Sequence, residues 1–336
     1  MQNKIGSVSY YLPQTVLTND DLKNEFPDLK IKELTRLTGV FSRHISGDDE
    51  TSVDMALNAA ENLFSENNIN RNDIDFVLFC SAGGDYITPP SACIIQDKLG
   101  LSQNCGALDI NQGCTGFIYS LFVAEGLIST GNAKNVLVLN SEAVTKTINK
   151  NDKTNRAIFG DAAAATIITK NEKSTFDSKF IFGTDGSKFD RIIIKYGRER
   201  YPLSRFTQNN TDGENGNTRN YANFYMNGTD VFNFSIQKAP QLVNALLQSH
   251  NISKEDIDFF IFHQANAIIL ETIARKTGIP NEKLIVELGN TGNTISASIP
   301  LALKKSLEKG VIKRGDKILL AGFGVGFSWG GTILEF

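Results

Sequence analysis

This sequence predicts an α/β fold built from two similar halves, and three paired segments predict it. The text NINRNDIDFVLFC at residues 68–80 returns as NISKEDIDFFIFH at residues 251–263. KNVLVLNS at 134–141 is matched by GDKILLAG at 315–322, and a helical pattern precedes each, at 116–129 and 299–309. FGDAAAATIIT at 159–169 is echoed by SWGGTILEF at 328–336. Continuous apolar runs of this kind read as strands in the buried interior of a parallel sheet. A repeat this long fits two α/β units packed face to face, because solenoid periods are far shorter. We place the halves at residues 1–172 and 173–336. The second is interrupted at 196–220 by a polar stretch rich in Asn, Gly and Arg, which reads as a long surface loop or lid, a solvated loop without a role being the expectation.

Composition narrows the classes of function. The 336 residues are 41% hydrophobic and 21% charged, with a formal net charge of −3, as in ordinary soluble globular proteins. With no basic block, nucleic acid and anionic membrane are not expected partners. No stretch is apolar for the length of a membrane span, and the N-terminal segment lacks the pattern of a signal peptide. The four cysteines, Cys80, Cys93, Cys105 and Cys114, form no Cys-x-x-Cys pair, and a disulfide framework does not suit a chain of this size. A reduced, cytoplasmic location is expected. No phosphate-binding loop motif is present, and no metal site is expected.

Candidate chemistry follows from the elements in order, because sites in α/β proteins form where loops converge at strand tips. The segment LDINQGCTGFIYSLFVAEGLIST places Cys114 between a strand at 107–110 and a helix starting near Thr115. That helix is apolar on nearly every side, so burial is expected. A thiol at a helix N-terminus is expected to favour the thiolate, because unpaired N–H groups and the helix dipole stabilise negative charge. The other three cysteines read as plain buried residues. Of the three histidines, His44 and His250 read as surface or satisfied side chains. His263 instead ends an apolar strand, and the repeat sets it at the edge where Cys114 should lie. In ELGNTGNTISASIP, Asn290 and Asn293 sit on a tight turn ahead of a helix with Pro300 in its first turn. GFGVGFSWGG, residues 322–331, is dense in glycine, and its backbone N–H groups suit an oxyanion site.

The motifs GCTGF, HQAN, GNTISASIP and GFGVGFSWGG, in this order and spacing, resemble those of the 3-oxoacyl-acyl-carrier-protein synthases III. The resemblance covers essentially the whole chain. It implies the thiolase fold, a five-layered α-β-α-β-α sandwich, and a decarboxylative Claisen condensation. Cys114 would take an acyl group as a thioester. His263 and Asn293 would hold the carbonyl of a malonyl thioester and stabilise its enolate. The N–H groups of Cys114 and Val325, beside Gly324, resemble a second oxyanion hole, and Phe327 matches an aromatic near the nucleophile. The implied partners are thioesters of acyl carrier protein or coenzyme A, with no metal or redox cofactor, and a homodimer. Arg275 and Lys276 stand close to where such enzymes dock the carrier.

The pattern also departs from the family. Glu33 and Leu37 fall where initiation enzymes carry a Trp and an Arg that clamp the adenine of coenzyme A, and Ile268 replaces a docking Arg. Thr88 falls where some relatives carry a Phe that shortens the acyl pocket, so a longer or specialised acyl chain is expected. The alternative within enzymes is acyl transfer to an alcohol or amine without condensation. A hydroxymethylglutaryl-type synthase would need a carboxylate base near the nucleophile, and no glutamate stands in a matching motif. A partner subunit without activity would be expected to lose the nucleophile, which this chain keeps.

Overall fold

The structure, a computed structural model, describes residues 3–170, 177–206, 211–212 and 218–336. The expected junction at 172/173 lies outside the described residues, as do 207–210 and 213–217 of the polar stretch. One sheet runs in the order Asn3–Tyr11, Ala162–Lys170, Asn135–Glu142, Phe76–Cys80 and Gly106–Ile110. A second runs Phe180–Thr184, Ser328–Glu335, Lys317–Gly324 and Phe259–Phe262. Strand for strand, the order and polarity agree. In each sheet two antiparallel pairings are followed by a parallel one, 135–142 with 76–80 and 317–324 with 259–262. The first sheet then adds Gly106–Ile110 in parallel, while among the described residues the second has a single bridge from Phe260 to Leu284 at that place. The sheets are therefore mixed and not all parallel. Strands such as Ala162–Lys170 read as continuous apolar runs because helices cover both faces, not because their neighbours are parallel.

Five layers result. Helices Ser52–Asn67 and Ser91–Lys98 pack on the outer face of the first sheet, and Gly228–His250 and Ala267–Thr277 lie on the outer side of the second. Between the sheets lie Gly116–Ser129 and Ser298–Glu308, each touching both. The buried apolar residues of this middle layer, among them Phe117, Ile118, Ile299 and Leu303, form one cluster with Leu78, Val138, Ile261 and Leu320 of the strands. Gly116–Ser129 is not buried all round, however. Phe122 is 51% exposed, its inner edge resting on Phe180 and Phe182.

The repeated text has a repeated physical cause. Asn68 and Asn251 each end a helix in the left-handed conformation, at φ 52° and 53°, which Asn tolerates better than most residues. Ile74 and Ile257 are buried at the turn into the strand. Asp75 then accepts hydrogen bonds from the N–H groups of Lys134 and Asn135, and Asp258 accepts one from Lys317. Each Asp thus caps the start of the neighbouring parallel strand.

Candidate active site

Cys114 lies on a tight turn after Gly106–Ile110, closed by a 2.7 Å hydrogen bond from the Gly116 N–H to the Gly113 carbonyl. The second sheet reaches it through the hairpin whose strands end at Gly324 and restart at Ser328. The glycines there permit contact. A Cβ on Gly322 would stand 2.7 Å from the Cys114 carbonyl oxygen, and one on Gly324 would stand 2.6 Å from Sγ. A Cβ on Gly113 would fall 2.5 Å from Val325 Cγ1. Thr115 Oγ1 and Ser328 Oγ, 2.9 Å apart, tie the nucleophile turn to this hairpin. The glycine run therefore serves close approach as well as bare backbone donors.

Burial pushes the Cys114 thiol up to about 11, while hydrogen bonds from the backbone N–H groups of Val325 and Cys114 pull the other way. Burial thus works against the expected preference of the helix terminus for the thiolate. Cys80, fully buried at the tip of its own strand, is raised as well.

His263 directly follows Phe259–Phe262, and its N–H is bound to the Ala321 carbonyl at 2.8 Å. It is 2% exposed, and burial lowers its pKa to about 4, so the ring is neutral near pH 7. Nδ1 lies 2.8 Å from Ser298 Oγ, which is also 2.8 Å from the Ile295 carbonyl. The single hydroxyl proton serves one of these acceptors at a time. When it turns to Nδ1, the ring proton resides on Nε2.

Asn293 is fixed at three points. Its N–H binds the Ile158 carbonyl, its carbonyl accepts from the Gly160 N–H, and its Oδ1 accepts from the Ile295 N–H at 2.9 Å. With Oδ1 committed, the amide NH₂ remains as the donor.

Cys114, His263 and Asn293 all line one cavity of about 390 Å³, together with Gly324 and Val325. Phe327 does not line it. That ring is stacked on Phe234 at 4.2 Å, and Phe323, edge-on to His263, is the aromatic in the wall. Thr88 is exposed and lines neither this cavity nor an adjoining one of about 280 Å³. Arg275 and Lys276 are exposed in the last turn of Ala267–Thr277, whose Ile269 lines the main cavity.

Sequence reasoning gave no role to several residues found here. Ser298 and Ile295 orient the His and the Asn. Arg219, at the end of the polar stretch, is buried in the cavity wall, 4.0 Å from Asp152 and over the Tyr225 ring. That stretch is thus not solvated throughout. Glu142 is a buried carboxyl whose negative charge contributes to raising Cys114. Its only trace in the sequence is an acid ending the apolar run NVLVLNSE. Among the described residues, no group of three His, Cys, Asp or Glu side chains could hold a metal ion, and no helix is long and apolar enough to cross a membrane.

Compared with known proteins, the chain matches the family model described as 3-oxoacyl-[acyl-carrier-protein (ACP)] synthase III over residues 108–186, and the corresponding C-terminal model over 247–336. It is 37% identical over 334 residues to a beta-ketoacyl-[acyl-carrier-protein] synthase III of Clostridium perfringens, covering 99% of this chain and 98% of that one. Identity to the like-named protein of Xanthomonas euvesicatoria is 34% over 338 residues, covering 99% and 98%. A 2.1 Å crystal structure of a 3-oxoacyl-(acyl-carrier-protein) synthase III agrees with a TM-score of 0.98 at 37% identity, over 100% of both chains. A 3-oxoacyl-(acyl-carrier protein) synthase from Burkholderia xenovorans agrees with a TM-score of 0.91 at 29% identity, over 100% of this chain and 94% of that one.

Proposed function

The chain belongs to the 3-oxoacyl-[acyl-carrier-protein] synthase III family and is a condensing enzyme of the acyltransferase class, and we propose that Cys114, His263 and Asn293 divide its reaction between them. In the first half, Cys114 Sγ attacks the carbonyl of an acyl thioester. The oxyanion forms against the N–H groups of Cys114 and Val325, and the donor thiol departs with the proton Cys114 loses. In the second half, the bond between the malonyl carboxylate and its neighbouring carbon breaks. Carbon dioxide leaves, and the electron pair passes into an enolate. The Asn293 amide and His263 Nε2–H donate to the enolate oxygen. Its carbon then attacks the acyl-Cys114 carbonyl, the carbon–sulfur bond breaks, a 3-oxoacyl thioester is released, and the departing Cys114 thiolate takes a proton from water to restore the thiol. The thioesters are substrates, and the chemistry calls for no cofactor.

The observation that carries this assignment is the common cavity. It receives the thiol from the turn that leads from the first sheet into a middle-layer helix, and the imidazole and amide from segments of the second. A neutral His263 suits the second half, since an imidazolium would protonate the carbanion. Condensation is favoured over plain acyl transfer by the two full-length relatives described above, both named as synthases.

The carrier and the dimer belong to the same proposal. Carrier protein would dock near Arg275 and Lys276, exposed two turns along the helix that starts at the cavity. A second copy would pair along Gly106–Ile110, the open edge of its sheet, where Leu108 is 44% exposed. Thr88, exposed in its own chain, would then act on the acyl pocket of the other.

Intact-protein mass spectrometry tests the first half. Incubation with acyl thioesters is expected to add one acyl group to the wild type and none to Cys114→Ala. Asn293→Ala is expected to load normally and to lose release of carbon dioxide from malonyl thioester by 10²-fold or more, about 2.7 kcal/mol. Absence of any adduct with every donor refutes the assignment of Cys114.

A further inference from the structure

Glu142 is a buried titratable group that the reaction does not use, and it reaches the site through one turn. It ends the strand Asn135–Glu142 of the first sheet and is 2% exposed. Its Oε1 accepts the hydroxyl proton of Ser296 at 2.7 Å, and its Oε2 accepts the Ala82 N–H at 3.1 Å. Among the described residues it has no ion-pair partner, an expensive arrangement for a buried carboxyl unless it is held for a purpose.

Ser296 lies in the short turn Ile295–Ala297. That turn is the joint between the two groups that act on the enolate. The Ile295 N–H holds Asn293 Oδ1, and the Ile295 carbonyl holds Ser298 Oγ, the neighbour of His263 Nδ1. Ile295 is also strained. It is β-branched yet sits at φ +51°, in the left-handed region that such residues avoid. A conformation of that kind persists only where the surroundings over-determine it. The hydrogen bonds at Ile295 itself tie it to Asn293 and Ser298 on its own segment and to the His263 ring of the second sheet. The carboxyl of Glu142 is the side chain of the first sheet that grips the turn.

We infer that Glu142 is a positioning residue for condensation. By holding Ser296 it keeps the 295–298 turn in the strained shape that aims both the Asn293 amide and the His263 ring at the enolate oxygen. This inference rests on the function proposed above and adds to it a residue and a division of effects. Loading requires Cys114 and its backbone donors, which Glu142 does not hold in place; its charge only raises the Cys114 thiol, so removing that charge does not slow attack by the sulfur. Decarboxylation requires the pair that it does. Burial lifts its pKa to about 7, against the pull of the Ser296 hydroxyl and the backbone N–H groups of Ala82 and Ser296, so the carboxyl grips residue 296 through both its side chain and its backbone.

The experiment measures the two half-reactions separately in Glu142→Gln, Glu142→Ala and Ser296→Ala. Loading is followed by intact mass with an acyl-coenzyme A or acyl-carrier thioester that loads the wild type. Decarboxylation is followed by carbon dioxide release from malonyl-carrier thioester. Glu142→Ala and Ser296→Ala are expected to reduce kcat for decarboxylation 10-fold to 100-fold while loading falls less than threefold. Glu142→Gln, which keeps one acceptor oxygen of the two, is expected to fall between them and the wild type. The double variant is expected to be no worse than Glu142→Ala alone, because Ser296→Ala removes part of the link that Glu142→Ala removes whole. The inference is overturned if either alanine variant decarboxylates at the wild-type rate, or if loading falls in parallel, which marks general packing. Should Glu142→Ala fail to fold, Ser296→Ala carries the test. If the wild type neither loads nor decarboxylates, the functional assignment itself has failed, a result separate from this one.

Discussion

Replacing Gly324 by alanine tests whether close approach, and not only backbone donation, builds the nucleophile site. The added Cβ would lie 2.6 Å from Cys114 Sγ and 2.7 Å from Cys114 Cβ. Carbon contacts are comfortable at about 3.5–4.0 Å, so one partner must move by about 1 Å. Cys114 has little freedom to move. Its own carbonyl is backed by Gly322, where a Cβ would come within 2.7 Å, and its helix is packed between the sheets. A displacement of about 1 Å at a reacting atom costs on the order of 10²-fold in rate. Overpacking adds about 1–3 kcal/mol of destabilisation. The assay is the acylation rate by intact mass, alongside alkylation of Cys114 by iodoacetamide with peptide mapping. Both rates are expected to fall about 100-fold while circular dichroism remains that of a folded protein. Gly126→Ala is the control. It lies inside the same helix, its Cβ would meet nothing within 4 Å, and a gain of about 0.5–1 kcal/mol in stability with unchanged loading is expected. If Gly324→Ala folds and loads within twofold of the wild type, the steric argument is wrong.

Two further predictions concern protons. Because burial holds the Cys114 thiol at about 11, its alkylation rate is expected to climb about tenfold per pH unit between pH 7 and 10. A plateau already reached by pH 7 would show that the helix terminus wins after all. His263 is lowered from 6.5 to about 4 in the folded chain. Between these values the unfolded chain binds a proton that the folded one refuses. Stability should therefore fall as pH drops from 6.5 towards 4, by about 3 kcal/mol from this group, and level off below. Urea midpoints of the wild type and His263→Asn, compared across that range, are expected to converge as pH falls, and parallel curves would refute the assignment.

The two-sheet architecture was legible because its signals are local and duplicated. An Asn that can turn left-handed, a buried Ile and a capping Asp must each occur at fixed offsets before a strand, so they survive as text at both 68–80 and 251–263. Parallel and antiparallel neighbours leave no such trace. Ala162–Lys170 pairs antiparallel on both sides, yet its residues are as apolar as those of a parallel strand, since burial by helices and not strand direction sets their chemistry.

The site was legible only in part for a related reason. Cys114, His263 and Asn293 interrupt patterns that folding alone would continue, so each stands out as a thiol, an imidazole or an amide at the end of an element. The residues that aim them do not stand out. Ser298 reads as an ordinary helix-start serine, and Ile295 as one more apolar residue. Only coordinates show that the first shares its proton between His263 and a carbonyl, and that the second is bent to φ +51° between two catalytic candidates. Phe323 and Phe327 make the same point. They are the same residue type four positions apart, but the hairpin turn between them sends Phe327 onto Phe234 and leaves Phe323 against His263. A sequence states which chemical groups are present. Their aim depends on hydrogen bonds between segments such as Glu142 and Ser296, 154 positions apart, which no local pattern encodes.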